Sequence, residues 1–258
     1  MEEETRPVES QTEEPPGSPW GGWATLGLTA GILFIFVAVS LLIGALFGLV
    51  AALEHHKTTM HSIERLIHSR AGLVMALSVL GSAPIGFGVT LLLATLRKNY
   101  PLKEYLGFRN VPIRVFLEWL LLLIVFIACW DLLTYALGKP IVLEKMIQAY
   151  KTARFLPLFY LAIVVVGPIF EETLMRGFLF QGIRSSPLGA TGAVVVTAFL
   201  WALLHMGYGA YGFLQILLAG LLLGIVRLRS ASTYVTIGLH MFMNMVATIE
   251  TAVVIHMR

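Results

Sequence analysis

Apolar residues in this chain come in long unbroken runs, not in the alternation of strands or the narrow stripes of soluble helices. Residues 24–53 are 30 positions without a charge, and 71–96 form a second such run. A hydrocarbon core of about 30 Å takes about 20 helical residues at a 1.5 Å rise. Each run therefore predicts a membrane-spanning helix, the first one tilted or slightly overlong. Residues 113–137 predict a third span, interrupted by Arg114, Glu118 and Asp131, and 155–180 a fourth that holds Glu171, Glu172 and Arg176. Between 185 and 226 there is no Asp, Glu, Lys or Arg for 42 residues. That is twice a span, so the segment must fold back, with the Gly-rich stretch 205–212 as its corner. Residues 230–249 make the last span. The pattern predicts an all-α fold, a polytopic membrane helical bundle of about seven transmembrane helices.

Three basic loops separate the runs, at 54–70, 97–112 and 138–154. The last fits an amphipathic helix lying in the membrane interface. The first 22 residues hold six Glu and one Arg, with Pro7, Pro15, Pro16 and Pro19. Such a segment cannot bury apolar surface and reads as a disordered acidic tail. Its acidity and the length of the apolar run after it argue against a cleaved signal peptide. The expected organisation is a tail at 1–22, membrane helices with basic loops at 23–154, and a catalytic core at 155–258. Lys and Arg divide nine to eight between the two faces of a seven-span protein, so the positive-inside rule does not orient it.

Composition narrows the class. Hydrophobic residues make up 57 % of the chain and charged residues 13 %, with a net charge of +3; the mean hydropathy is +0.82. This excludes a soluble enzyme, a nucleic-acid binder and a disulfide scaffold. Cys129 is the single cysteine, so no internal disulfide forms. The acidic opening and long first span point to the bacterial cytoplasmic membrane. The bilayer and a membrane-associated protein or peptide are the expected partners, without nucleic acid; the oligomeric state is left open.

An ionisable side chain at mid-membrane costs about 2.5–3.5 kcal/mol on insertion scales and so faces a cavity or a partner. The fourth span carries three within six residues, Glu171, Glu172 and Arg176. Glu172 and Arg176 are four apart, on one helix face, and read as an ion pair. Glu171 has only Met175 at that spacing. Gly167-Pro168, just ahead, suggests a kink. Trp201 with His205 and His240 with Asn244 repeat the four-residue spacing in later spans. Each of these groups alone reads as packing or interhelical glue. Together, a carboxylate pair, two imidazoles and an amide are the parts for activating water and holding an oxyanion. A carboxylate taken out of water becomes a better base, and attack of water on a peptide bond is the reaction that these groups suit.

These motifs resemble those of the type II CAAX prenyl endopeptidases and the wider CPBP (Abi) family of intramembrane proteases. Two Glu followed by Arg and Gly correspond to Glu171, Glu172, Arg176 and Gly177. An aromatic residue four before His corresponds to Trp201 and His205, where the family more often has Phe. His followed four later by Asn corresponds to His240 and Asn244, and Gly220 and Gly224 also agree. The likeness covers about residues 155–250. It implies that Glu171 and His205 activate water, that His240 and Asn244 form the oxyanion site, and that Glu172 and Arg176 support the geometry. It also raises Arg176 as a contact for a substrate carboxylate. Substrates would be membrane-associated, prenylated or C-terminally anchored.

A divalent metal such as Zn²⁺ stays open. Glu171, His205 and His240 are as many ligands as a catalytic zinc takes, but the chain has no His-Glu-x-x-His helix, and a metal-free mechanism is favoured. A non-enzymatic immunity or scaffold protein is the main alternative, and a proton-coupled transporter a third. The cluster Glu54, His55, His56, His61 and His68 reads as a polar loop. Asp131, with Tyr135 one turn on, reads as a structural acid, Glu118 as a snorkelling one, and His256 as interfacial.

Overall fold

The computed structural model describes residues 17–54 and 59–257, so the acidic residues 1–16 and the pair His55 and His56 lie outside it. The described residues are 84 % helical, without strands. The helices are α1 (Gly22–Glu54), α2 (Met60–His68), α3 (Ala71–Thr95), α4 (Leu102–Leu106), α5 (Ile113–Ala136) and α6 (Glu144–Thr152). They continue with α7 (Leu156–Arg184), α8 (Gly189–Leu204), α9 (Gly209–Ser230) and α10 (Thr233–Met257). Six are long and apolar enough to cross a membrane. The seventh of the expected spans, α8, has 16 residues. It rises about 24 Å, less than the about 30 Å of a hydrocarbon core. If one end sits at a membrane face, its other end stops inside the bilayer.

α7 is the central element. More than half of its most apolar window is buried, 56 %, against 11 % for α1. α3 reaches it with small residues, among them Ala76, Ala83, Gly86 and Thr90, all buried. A Cβ on Gly86 would sit 2.5 Å from the Phe170 ring, so only a glycine admits this packing. α1 covers the outside of α3, with Phe36 stacked on Phe170 at 5.1 Å. Along the rest of α1, large apolar side chains such as Phe34 and Leu41 remain exposed, as lipid-facing residues should. α8 and α9 form a hairpin whose corner is a 3₁₀ turn, Met206–Tyr208. Gly209, at φ +75°, opens α9. Gly220 and Gly224 bring α9 against Ala198 and Val194 of α8, at distances where any side chain would crowd the neighbour.

Gly167-Pro168, where a kink is expected, opens a short α-helical stretch between two π-helical stretches of α7, Leu161–Val166 and Thr173–Leu179. π turns displace backbone carbonyls from the regular α ladder. Ile163 O accepts from Asn244 Nδ2 of α10 at 2.9 Å, and Arg176 O accepts from Arg227 Nε of α9 at 2.9 Å. The irregular helix is thereby tied to both neighbours. The loop at 138–154 contains the expected short amphipathic helix, α6. The last span runs on to Met257, eight residues past its expected end, and so takes in Glu250.

Candidate active site

Consecutive residues on a helix point about 100° apart, and Glu171 and Glu172 use that angle to face different surroundings. Glu172 is fully buried. Its Oε1 accepts from Arg176 Nη1 at 2.9 Å and from His240 Nδ1 at 3.0 Å. Arg176, also fully buried, donates from Nη2 to Gly220 O at 3.1 Å, and its guanidinium lies 4.9 Å from the Trp201 ring centre. Four helices, α7, α8, α9 and α10, meet in this knot.

Glu171 faces a cavity of about 350 Å³. Trp201 Nε1 donates to its Oε2 at 2.7 Å, and among the described residues no donor reaches the other oxygen. The cavity wall also includes Trp201, His205, His240 and Asn244. His205 sits at the C-terminal end of α8, its Nδ1 2.9 Å from Trp201 O. A carbonyl can only accept, so Nδ1 carries the proton and Nε2 keeps its lone pair in the neutral ring. His240 is fixed in the same way, Nδ1 donating to Glu172. The Trp201 ring stands edge-on to both imidazoles, 5.2 Å from His205 and 5.1 Å from His240. One Asn244 N–H is held by Ile163 O, and its partner on the same nitrogen remains to serve a ligand. The arrangement offers a carboxylate, a ring nitrogen with a lone pair and an amide donor around one space, at the end of a helix too short to cross the membrane.

Residues 153–246 match the family model described as type II CAAX prenyl endopeptidase Rce1-like. This stretch is an Rce1-like domain. Neither the curated proteins nor the solved structures contain a match to the chain. The apolar helices mark the chain as an integral membrane protein, and the stretch 153–246 is similar to a family that is in general one of intramembrane CAAX-type proteases.

Within and beside the Rce1-like domain, the structure brings together Glu171, Glu172, Arg176, Trp201, His205, His240 and Asn244, from α7, α8 and α10 and the turn after α8. It corrects two details. Arg176 is sealed in the knot and is not part of the cavity wall, so it does not meet a substrate carboxylate. Glu171 is not without a partner, since the Trp201 indole serves it.

Outside the motifs, Asp131 does not pair with Tyr135, which is 75 % exposed. It lines the cavity and faces Glu250, the two carboxyl groups within hydrogen-bonding reach of each other. Glu250 was not visible as a site residue while the last span was ended at 249. Tyr208, which stacks on His205 at 6.0 Å, was overlooked as well. Glu118 pairs with Arg114 at 2.8 Å, both exposed, and His256 is exposed, with Nδ1 donating to Ala252 O. His61 and His68 are exposed. Among the described residues no three His, Cys, Asp or Glu side chains gather as a metal site. Glu171, His205 and His240 are thus not gathered as the three ligands of a catalytic zinc.

Proposed function

We propose that the protein is an intramembrane endopeptidase that cleaves membrane-associated proteins with a water activated by Glu171 and His205. The observation that carries this reading is the shared wall of one cavity: Glu171, His205, His240 and Asn244 surround a space in which water and a peptide carbonyl fit together. Glu171 takes a proton from water while Trp201 Nε1 holds its Oε2 in place. His205, oriented through Nδ1, accepts a hydrogen bond from the same water at Nε2. The hydroxide adds to the carbonyl carbon, and the carbonyl oxygen becomes an oxyanion. Asn244 donates its remaining N–H to that oxygen, and His240 donates from Nε2 when its ring is protonated. The proton gained by Glu171 then passes to the leaving amine as the C–N bond breaks. Glu172 and Arg176 act at a remove, by fixing the His240 ring. The long uncharged first span and the acidic opening favour a bacterial cytoplasmic membrane.

The test compares membrane-protein termini by mass spectrometry in cells carrying wild-type or Glu171→Gln protein at equal membrane levels. Termini found only with the wild type are the expected result, and they name substrates and cleaved bonds. Identical sets of termini would turn the reading towards an immunity or scaffold protein.

A further inference from the structure

The bundle buries a second cation, outside the cavity wall, that no acid matches. Arg227 lies in the last turn of α9 and is only 3 % exposed. Its Nε is spent on Arg176 O, and its guanidinium lies 5.3 Å from the Phe180 ring centre. Gly107, left-handed at φ +65°, makes room for it, since a Cβ there would collide with the guanidinium. The two Nη groups have no partner among the described residues, and unlike Arg176 Nε they are not cut off from the surface.

A guanidinium keeps its proton in a protein, so its burial without an anion is costly. The described residues supply none. The titratable groups within electrostatic reach of Arg227 are Arg184, itself a cation, and Tyr100. This is the end of the bundle where α3, α7 and α9 finish and α5 and α10 begin. Its two acids among the described residues are Glu118, which Arg114 holds, and Glu104, which is exposed; neither reaches Arg227. Tyr100 adds a donor of its own, because its hydroxyl accepts from Gln181 Nε2 at 2.8 Å and keeps its proton for another group.

We propose that Arg227 and Arg184 form a phosphate-binding site, filled in the membrane by the headgroup of an anionic phospholipid. A guanidinium fork matches two phosphate oxygens at once. The last turn of a spanning helix sits at headgroup level, and basic pockets between spans hold lipid phosphates there. A headgroup of net negative charge suits two cations better than a zwitterionic one, whose own ammonium they would repel. The site is tied to the knot around Glu172, since the same guanidinium holds Arg176 O in the second π-helical stretch of α7. Occupancy should therefore steady α7 and raise the thermal midpoint. The site stands whether or not the cavity cleaves peptides.

Native mass spectrometry of the full chain in detergent, with phosphatidylglycerol and phosphatidylcholine of equal acyl chains, reads lipid retention directly. We expect wild-type protein to retain phosphatidylglycerol better by about tenfold or more, the worth of hydrogen bonds to a charged group. Arg184→Gln, on the surface, should weaken that retention about fivefold, and Arg227→Gln should abolish the preference. If Arg227→Gln does not fold, Arg184→Gln decides alone. Lys151→Gln, exposed at the other end of the bundle, should change nothing. A second arm follows the thermal midpoint in inorganic phosphate against chloride at equal ionic strength. A saturable rise that Arg184→Gln weakens, without any lipid preference, keeps the phosphate site and assigns it to the free ion. No response to either ligand, a response untouched by both Arg substitutions, or an equal loss in Lys151→Gln overturns the site. A response that emerges only when the six Glu of residues 1–16 are changed to Gln also overturns it, because the chain's own carboxylates are then the occupant.

Discussion

Glu171 and Glu172 adjoin in sequence and share one helix, but their surroundings divide the work between them. Glu172 is fully buried, its Oε1 held by Arg176 and His240. Glu171 stands at a cavity, held by one indole, with an oxygen to spare. The same functional group is thus a fastening on one face of α7 and available for chemistry on the other. Intramembrane charge has two solutions, a buried ion pair or access to a polar space, and α7 uses both within a single turn.

Substitutions can break this contrast or sharpen it. Arg176→Met leaves a buried carboxylate without its cation and should destabilise the protein by about 3–5 kcal/mol, read as a large fall in the thermal midpoint in detergent. A variant that melts like the wild type would mean that the knot does not hold the fold. Glu171→Gln should cost about 10²–10⁴-fold in cleavage, the usual worth of a general base, with the thermal midpoint almost unmoved. If it melted as early as Arg176→Met, the two faces would not differ in kind. Asn244→Ala should lower kcat by about 10²–10³-fold, as for other oxyanion donors, measured on peptides taken from the cleaved termini. Trp201→Phe keeps a ring against both imidazoles and removes the donor to Glu171. About tenfold or more in cleavage is expected, given the worth of a hydrogen bond to a charged group. Smallest of all, Leu41→Ala on the lipid-facing side of α1 should change stability by less than about 0.5 kcal/mol, as surface substitutions do.

Much of the helix count was legible because lipid imposes a length on every span, and uncharged runs of 25–30 residues carry that length openly. The site motifs were legible for a related reason: a four-residue spacing states which side chains share a helix face. What joins different helices was not. Nothing around Trp201 says that its indole reaches Glu171, 30 positions earlier, and nothing around Asn244 says that its amide ends on Ile163. The pairing of Asp131 with Glu250 spans 119 positions, and it was further hidden by ending the last helix at 249. A carboxylate there is a sign that the helix continues, since an acid beside an apolar run needs a cavity to face. Arg176 was misjudged because sequence shows its charge and not the ring, carbonyl and carboxylate that enclose it.

The two π-helical stretches have a consequence for insertions and deletions. Each π turn holds a residue more than the α turn it replaces, so a chain one residue shorter between 161 and 166 could still form a continuous helix. It would gain a regular backbone and keep its alignment, because the α turn left behind closes the same full turn with one residue fewer. A deletion in the α-helical stretch Gly167–Glu172 has no surplus residue to draw on and would swing every side chain on one side of it by about 100° relative to the other, parting the carbonyl that holds Asn244 from the acids about two turns further on. Length in this segment is therefore as much a part of the site as the residues that line it.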